Sequence, residues 1–159
     1  MSIKKYLRIF YQPGVQVVGL IRLGSMLRNL PFLGKMLSLV IDNIILYIFS
    51  LEVTSATLDI KSLTIGHSTG VVLGGNGIRS TGNLHISSGV VFARRYDNSN
   101  EKSPYFDIEG DLTIGANSVL LGPLTIKGPT IIGALSLITK DILEPGVYVG
   151  TPAKKIRDL

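Results

Sequence analysis

The sequence predicts an all-β domain, wound as a parallel β-helix and preceded by a short helical segment. The first observation is a branched aliphatic residue at every sixth position: Ile108, Ile114, Leu120, Ile126, Ile132 and Ile138. The second is a set of small or aliphatic residues, each four positions after a member of the first set: Leu112, Ser118, Leu124, Thr130, Ser136 and Ile142. The third is that glycine or asparagine falls between them. A period of six fits neither a helix nor an alternating strand, but it fits three short strands per coil of about 18 residues.

Composition limits the kinds of site that the chain could carry. At 159 residues it predicts one domain with a short appendage. It has no cysteine, which excludes disulfides and thiolate metal sites. His67 and His85 are the only histidines, so a zinc site with three histidines cannot form, and we predict no metal. The first apolar run lacks a small-residue cleavage site, so a cytoplasmic location is expected.

Charge is concentrated before the repeats. Residues 1–41 contain six basic residues and no acid, whereas the remainder contains ten bases and eleven acids. This basic arm lacks an aromatic stacking platform or a recognisable motif, so nucleic-acid binding is not expected.

Residues 1–50 are predicted to form a helical arm, followed by a β domain over residues 51–159. Apolar spacing indicates helices at 14–29 and 32–50, separated by a proline. The helices could pack against each other and neighbouring subunits, or lie as a basic amphipathic arm on an anionic membrane. A transmembrane span is a third interpretation, although it would place Asp42 and Asn43 at mid-bilayer at high cost.

From Leu51 onward the pattern is that of strands, with one slip of register between Leu73 and Ile86. The period fails over residues 93–105, which are polar and charged, and it resumes at 106. In a solenoid such an insertion is extruded from one corner, where function often lies. Arg94 and Arg95 in this loop could bind an anionic sugar or sugar nucleotide, or could be solvated charges.

Three motifs suggest a family. They are IGHSTGVVLG at residues 65–74, the paired turns IGAN at 114–117 and IGA at 132–134, and GTPAKKI at 150–156. On these motifs the chain resembles the hexapeptide-repeat acetyltransferases of the serine acetyltransferase type, especially short members associated with surface-polysaccharide biosynthesis. The resemblance implies a left-handed parallel β-helix, a homotrimer with active sites between subunits, and acetyl-CoA as acyl donor.

The resemblance also implies catalytic residues. His67 falls on the catalytic histidine of the family, the general base for the acceptor hydroxyl, and Glu52 on the acidic residue that orients it. Histidine suits this task because imidazole titrates near neutral pH. His85, flanked by aliphatic residues, is expected to be an outward-facing strand residue instead.

Five residues are expected to bind acetyl-CoA. Ala116 and Ala134 match turn alanines whose N–H groups hold the pantetheine arm, and their separation of one coil independently predicts that they stack. Lys154 and Lys155 match basic residues near the CoA phosphates, and Lys140 is a further candidate for the same role.

Departures from the family pattern concern the acceptor. Gly66 replaces an aspartate that helps to bind serine, and Tyr105 stands roughly where a second active-site histidine is expected. We therefore expect Tyr105, Arg94 and Arg95 to contact the acceptor, and we favour a sugar hydroxyl over serine. Serine O-acetyl transfer, a non-catalytic β-helix scaffold and a peripheral membrane adaptor remain alternatives.

Overall fold

A computed structural model describes residues 13–27, 30–74, 77–95 and 105–159. Two helices, α1 (Pro13–Leu27) and α2 (Leu33–Phe49), precede thirteen strands in this part of the chain, which confirms the two predicted helices. The strands are β1 (Glu52–Val53), β2 (Leu58–Ile65), β3 (Val72–Leu73), β4 (Ile78–Ile86), β5 (Val91–Arg94), β6 (Phe106–Glu109), β7 (Leu112–Ile114), β8 (Val119–Gly122), β9 (Leu124–Lys127), β10 (Thr130–Ile132), β11 (Leu137–Ile138), β12 (Gly146–Gly150) and β13 (Ala153–Arg157).

The strands stack in parallel on three faces. Face 1 contains β1, β3, β5, β8 and β11 in that order. The long strands β2 and β4 bend across a corner: residues 58–60 and 78–80 lie on face 2 with β6 and β9, and residues 62–65 and 83–86 lie on face 3 with β7, β10 and β12. Among the named strands, β12 and β13 form the one antiparallel pair. The predicted parallel stacking of coils is confirmed, whereas the left-handed sense stays a prediction.

The six-residue period defines the core. All six branched aliphatics of the first set are buried, and so are the six small or aliphatic residues of the second set. Ile86, Ile114 and Ile132 occupy the same register position in successive coils of face 3. Each inward side chain therefore packs between its counterparts in the coils above and below.

The helical arm is docked on the first coil by small residues. α1 buries Gly14, Val17, Ile21 and Gly24, which share one face of the helix. Any Cβ on Gly14 would lie 1.9 Å from the carbonyl oxygen of Ile65, so the helix approaches the strand at backbone contact.

A buried carboxylate holds α2 to the same coil. The backbone N–H of Ser55 donates to Asp42 at 3.2 Å. Burial raises the pKa of Asp42, and the hydrogen bonds from Ser55 oppose this shift. The other side chains of α2 are exposed, except that of Phe49, which is half-buried against the core. No helix within the described ranges has both the length and the apolarity needed to cross a bilayer.

The coil that contains the predicted loop is the longest. Ile78 pairs with Phe106, 28 positions later, whereas Phe106 pairs with Leu124 after only 18. Strand β5 extends two residues into the predicted loop, because Ala93 and Arg94 pair with β8. Residues 96–104 of that loop lie outside the described part of the chain.

Candidate active site

The corner between face 3 and face 1 carries the family motifs. We call it the His67 edge, and it comprises the turns at residues 66–71, 87–90, 115–118 and 133–136. These turns are aligned because the strands before and after them are paired in register. Residues far apart in the chain are thus brought into one column along the solenoid.

The first turn of this edge is longer than the others, and the extra residues include His67. Seven positions separate the paired residues Ile65 and Val72, but only five separate their partners Ile86 and Val91. Gly66 donates to the carbonyl of Ile86, and Gly89 donates to that of Thr69, so both ends of the turn keep the register. The two additional residues are therefore His67 and Ser68. The insertion leaves His67 exposed while Ser68 is buried.

His67 lines a cavity of about 220 Å³ whose walls come from the arm as well as the turn. The arm contributes Pro13 at the start of α1, and Ile48, Phe49 and Ser50 at the end of α2. The imidazole is therefore accessible to a small polar molecule and lies beside a partly apolar wall.

Glu52 lies on β1, with its N–H donating to the carbonyl of Val71 at 2.9 Å. It lines a different cavity of about 170 Å³, together with Leu39 and Asn43 of α2. Within the described ranges no hydrogen bond or ion pair joins the side chains of Glu52 and His67. The orienting role of Glu52 stays a prediction.

Ala116 and Ala134 stack in adjacent coils of the His67 edge, as their separation predicts. The N–H of Leu135 donates to the carbonyl of Ala116 at 2.9 Å. Any Cβ on Gly115 would lie 2.4 Å from the nitrogen of Ala134, so only glycine permits this approach. Neither alanine N–H donates a hydrogen bond to the described part of the chain. Two backbone donors about 4.8 Å apart, one coil spacing, are thus left without a partner among the described residues.

The C-terminal hairpin extends the His67 edge beyond Ala134. The N–H of Gly150 donates to Ser136 Oγ at 3.2 Å, and Thr151 Oγ1 donates to the carbonyl of Leu135 at 3.3 Å. The turn between β12 and β13 is thereby fixed at the end of the column of turns. It places the beginning of β13, with Lys154, next to the edge.

The two hairpin lysines have different surroundings. Lys155 Nζ forms ion pairs with Asp158 at 2.8 Å and Glu144 at 3.2 Å. The hydrogen bond with Asp158 raises the pKa of Lys155, and Lys155 in turn lowers the pKa of Asp158. Lys154 is exposed and forms no ion pair with any described residue. Lys154 is therefore the better placed of the two to receive a phosphate.

No protein-family model matches the chain. It is 30% identical over 123 residues to serine acetyltransferase 2 of Arabidopsis thaliana, which covers 77% of this chain and 37% of that protein. A 2,3,4,5-tetrahydropyridine-2,6-dicarboxylate N-acetyltransferase of Staphylococcus aureus strain JH9 is 36% identical over 75 residues, covering 47% of this chain and 30% of that protein. The solved serine acetyltransferase of Neisseria gonorrhoeae superposes with a TM-score of 0.76 at 27% identity, covering 97% of this chain and 58% of that one. Over most of its own length the chain is similar in sequence and fold to serine acetyltransferases.

The same fold appears at lower identity in the Brucella abortus strain S19 serine acetyltransferase solved in complex with coenzyme A. That structure has a TM-score of 0.79 and 22% identity, and the match covers 93% of this chain and 57% of that one. The chain spans less than two thirds of the length of each of these relatives.

Tyr105 and Arg95 lie away from the His67 edge, at the corner between face 1 and face 2 that we call the loop edge (residues 95, 105, 122–123 and 139–141). Tyr105 is 3% exposed, and its hydroxyl donates to the carbonyl of Gly122 at 2.7 Å. The same hydroxyl accepts the N–H of Arg95 at 3.2 Å. The Arg95 guanidinium donates to the carbonyls of Leu121 and Thr139. These two side chains hold the ends of the long loop, and their predicted contact with an acceptor is untested.

Two other predicted site residues also fall outside the His67 edge. Lys140 is exposed at the loop edge, one corner away from Ala134. Arg94 is exposed at the end of β5. A role for either in binding CoA or the acceptor stays a prediction.

Two buried serines support the edge from within, which sequence reasoning missed. Ser118 Oγ donates to the carbonyl of Gly133 at 2.9 Å and accepts the N–H of Ser136 at 3.3 Å. Each serine lies two residues after one of the stacked alanines. A hydroxyl at an otherwise aliphatic inward position was the signal that could have revealed this support.

Proposed function

We propose that the chain is an acetyl-CoA-dependent O-acetyltransferase whose active site lies on the His67 edge. The observation that carries this proposal is the arrangement of three features along one corner. Within the described residues, an exposed histidine lies at one end, two stacked N–H donors without a hydrogen-bond partner follow, and a lysine without an ion pair lies at the other end. The relatives named as acetyltransferases, one of them solved with coenzyme A, support the same activity.

The spacing of the edge fits an extended acyl donor. Ala116 lies two coils from His67 and Ala134 three, so about 10 and 14 Å at 4.8 Å per coil. The N–H groups would hold the amides of the pantetheine arm, with Lys154 at the phosphate end. His67 would lie at the thioester end.

The reaction requires few groups. His67 takes the proton of the acceptor hydroxyl as its oxygen attacks the thioester carbonyl, and the CoA thiolate leaves as the carbonyl re-forms. Holding both substrates on one edge makes the transfer effectively unimolecular. Glu52 would support the imidazolium once the second wall of the site is in place, as carboxylates do in other histidine–acid pairs.

A homotrimer of left-handed β-helices would supply that second wall. Three copies around a three-fold axis parallel to their solenoid axes would bring a neighbouring face against the His67 edge, and closed cyclic symmetry is the usual way to bury such flat faces. In this arrangement the active site lies between subunits, in a cytoplasmic enzyme.

We favour a sugar hydroxyl, such as that of a surface-polysaccharide precursor, as the acceptor. Gly66, at the start of the turn that carries His67, has no side chain to bind an amino group. Serine is the second candidate, because relatives of the chain include proteins named serine acetyltransferases.

An acceptor screen tests this proposal. Labelled acetyl-CoA is incubated with the protein and with serine, free sugars or nucleotide sugars in parallel reactions. We expect label to be transferred to a sugar oxygen. Transfer to serine alone would show that the acceptor is serine and not a sugar. If the protein failed to bind acetyl-CoA, the proposed enzyme activity would be wrong and a non-catalytic scaffold would be favoured.

The hairpin lysines provide a test of where the CoA phosphates bind. Lys154→Gln is expected to raise the KM for acetyl-CoA about fivefold at low salt, since an exposed charge pair contributes about 1 kcal/mol. Lys155→Gln is the matched control, because this lysine is already paired with Asp158 and Glu144. Steady-state kinetics at two ionic strengths measure both effects, and an equal response of the two variants would contradict the assignment.

A further inference from the structure

The outward surface of α2 is apolar over an unusual width. The buried residues Gly34, Ser38, Ile41, Asp42 and Ile45 occupy one side of the helix. The exposed apolar residues of the helix are Leu33, Met36, Leu37, Leu39, Val40, Ile44, Leu46, Tyr47 and Ile48. At 100° per residue they spread over roughly 200° of the circumference, interrupted by the exposed Asn43, whose side-chain amide donates to the carbonyl of Leu39. A partner helix covers a stripe about half as wide, so a single helix–helix contact would leave much of this surface in water.

The charge of the arm is predominantly positive. Lys35 is exposed at the edge of the apolar surface of α2. Asp42, the acid of the two helices, is 8% exposed and faces Ser55 rather than solvent, whereas the exposed Glu52 follows α2 and lies beside Leu39. Residues 1–41 contain six basic residues and no acid. An apolar surface on a segment with net positive charge complements an anionic lipid surface.

We propose that the helical arm binds the surface of membranes containing anionic lipid, with the outward side of α2 buried at the level of the headgroups. This proposal is independent of the proposed acetyl transfer. Because α2 is docked on the first coil through Asp42 and Ser55, the β-helix would be held at the membrane rather than tethered loosely. The end of α2 also forms a wall of the His67 cavity, so the site would face an acceptor at the same surface.

The test is co-sedimentation of the full chain with vesicles of phosphatidylcholine, with and without 30% phosphatidylglycerol. We expect the protein to bind the anionic vesicles, more weakly as salt is raised. Met36→Gln combined with Val40→Gln should lower the partition coefficient at least tenfold. Glutamine keeps the helix propensity, and both side chains are 54% exposed, so folding should not suffer.

The matched control is Leu143→Gln combined with Leu159→Gln, which removes two leucines that are 59% and 57% exposed outside the arm. This variant should bind vesicles as the unaltered protein does. Lys35→Gln should weaken binding to anionic vesicles about threefold, because this lysine lies at the edge of the apolar surface.

Sedimentation velocity without lipid tests whether a second copy of the chain, rather than a membrane, covers the outward side of α2. Unchanged assembly of the Met36/Val40 variant, together with its loss of vesicle binding, supports the proposal. An altered oligomeric state in that variant, with or without loss of vesicle binding, would overturn it in favour of a contact between copies. No binding of the unaltered protein to anionic vesicles would overturn it as well.

Discussion

His67→Ala is expected to lower kcat by roughly 10²–10⁴ with the acceptor that the screen identifies, which is the usual contribution of a positioned general base. The dissociation constant for acetyl-CoA should change little, because the N–H groups of Ala116 and Ala134 and the charge of Lys154 lie two or more coils away. His67 is exposed and sits on a turn with two extra residues, so the substitution leaves no cavity in the core.

The chain offers a matched control for this substitution. His85 is its only other histidine, and it is exposed on face 3, where β4 pairs with β2 and β7. His85→Ala should leave both kcat and the affinity for acetyl-CoA near those of the unaltered protein. If the two variants lose activity equally, or if His67→Ala transfers acetyl groups at a normal rate, His67 is not the base.

Glu52→Gln separates two possible arrangements of the site. Glu52 and His67 line separate cavities and share no hydrogen bond in the described chain. If assembly brings the two side chains together, kcat should fall by about 10-fold, less than for His67→Ala, because the base itself remains. An unchanged kcat would show that Glu52 has no role in catalysis and is only a residue of strand β1.

The stacked core could be predicted from sequence because one inward position recurs at every corner. Six residues advance the chain by one face, and eighteen return it to the same face. This counting places Ala116 below Ala134, which the structure confirms. The same counting places Lys140, six residues after Ala134, on the next corner. The prediction that Lys140 binds CoA did not take this position into account.

Contacts between distant polar groups could not be predicted in the same way. Tyr105 and Arg95 lie in a polar stretch, which indicates a loop but not which of its side chains turn inward. Their partners are backbone carbonyls of Gly122, Leu121 and Thr139. Every residue has a carbonyl, so no sequence pattern marks these partners. The residues that anchor a loop therefore look the same in sequence as residues that bind a ligand.

The core itself yields the second large expected effect, which concerns stability. Ile114→Ala is expected to lower the free energy of unfolding by about 2–5 kcal/mol, the range for truncating a fully buried aliphatic side chain. Ile114 has no exposed surface and lies in register between Ile86 and Ile132. Its loss would leave a cavity between two coils, and the paired backbones on either side prevent the coils from closing it.

Thr113→Ala is the control, since Thr113 is the neighbouring residue on β7 and points away from the core. Surface substitutions of this kind usually change stability by about 0.5 kcal/mol or less. Urea denaturation measures both variants, at one protein concentration because assembly contributes to apparent stability. In a solenoid each coil is stabilised by its neighbours. A loss at Ile114 as small as that at Thr113 would therefore mean that the coils do not share the continuous core that their six-residue period predicts.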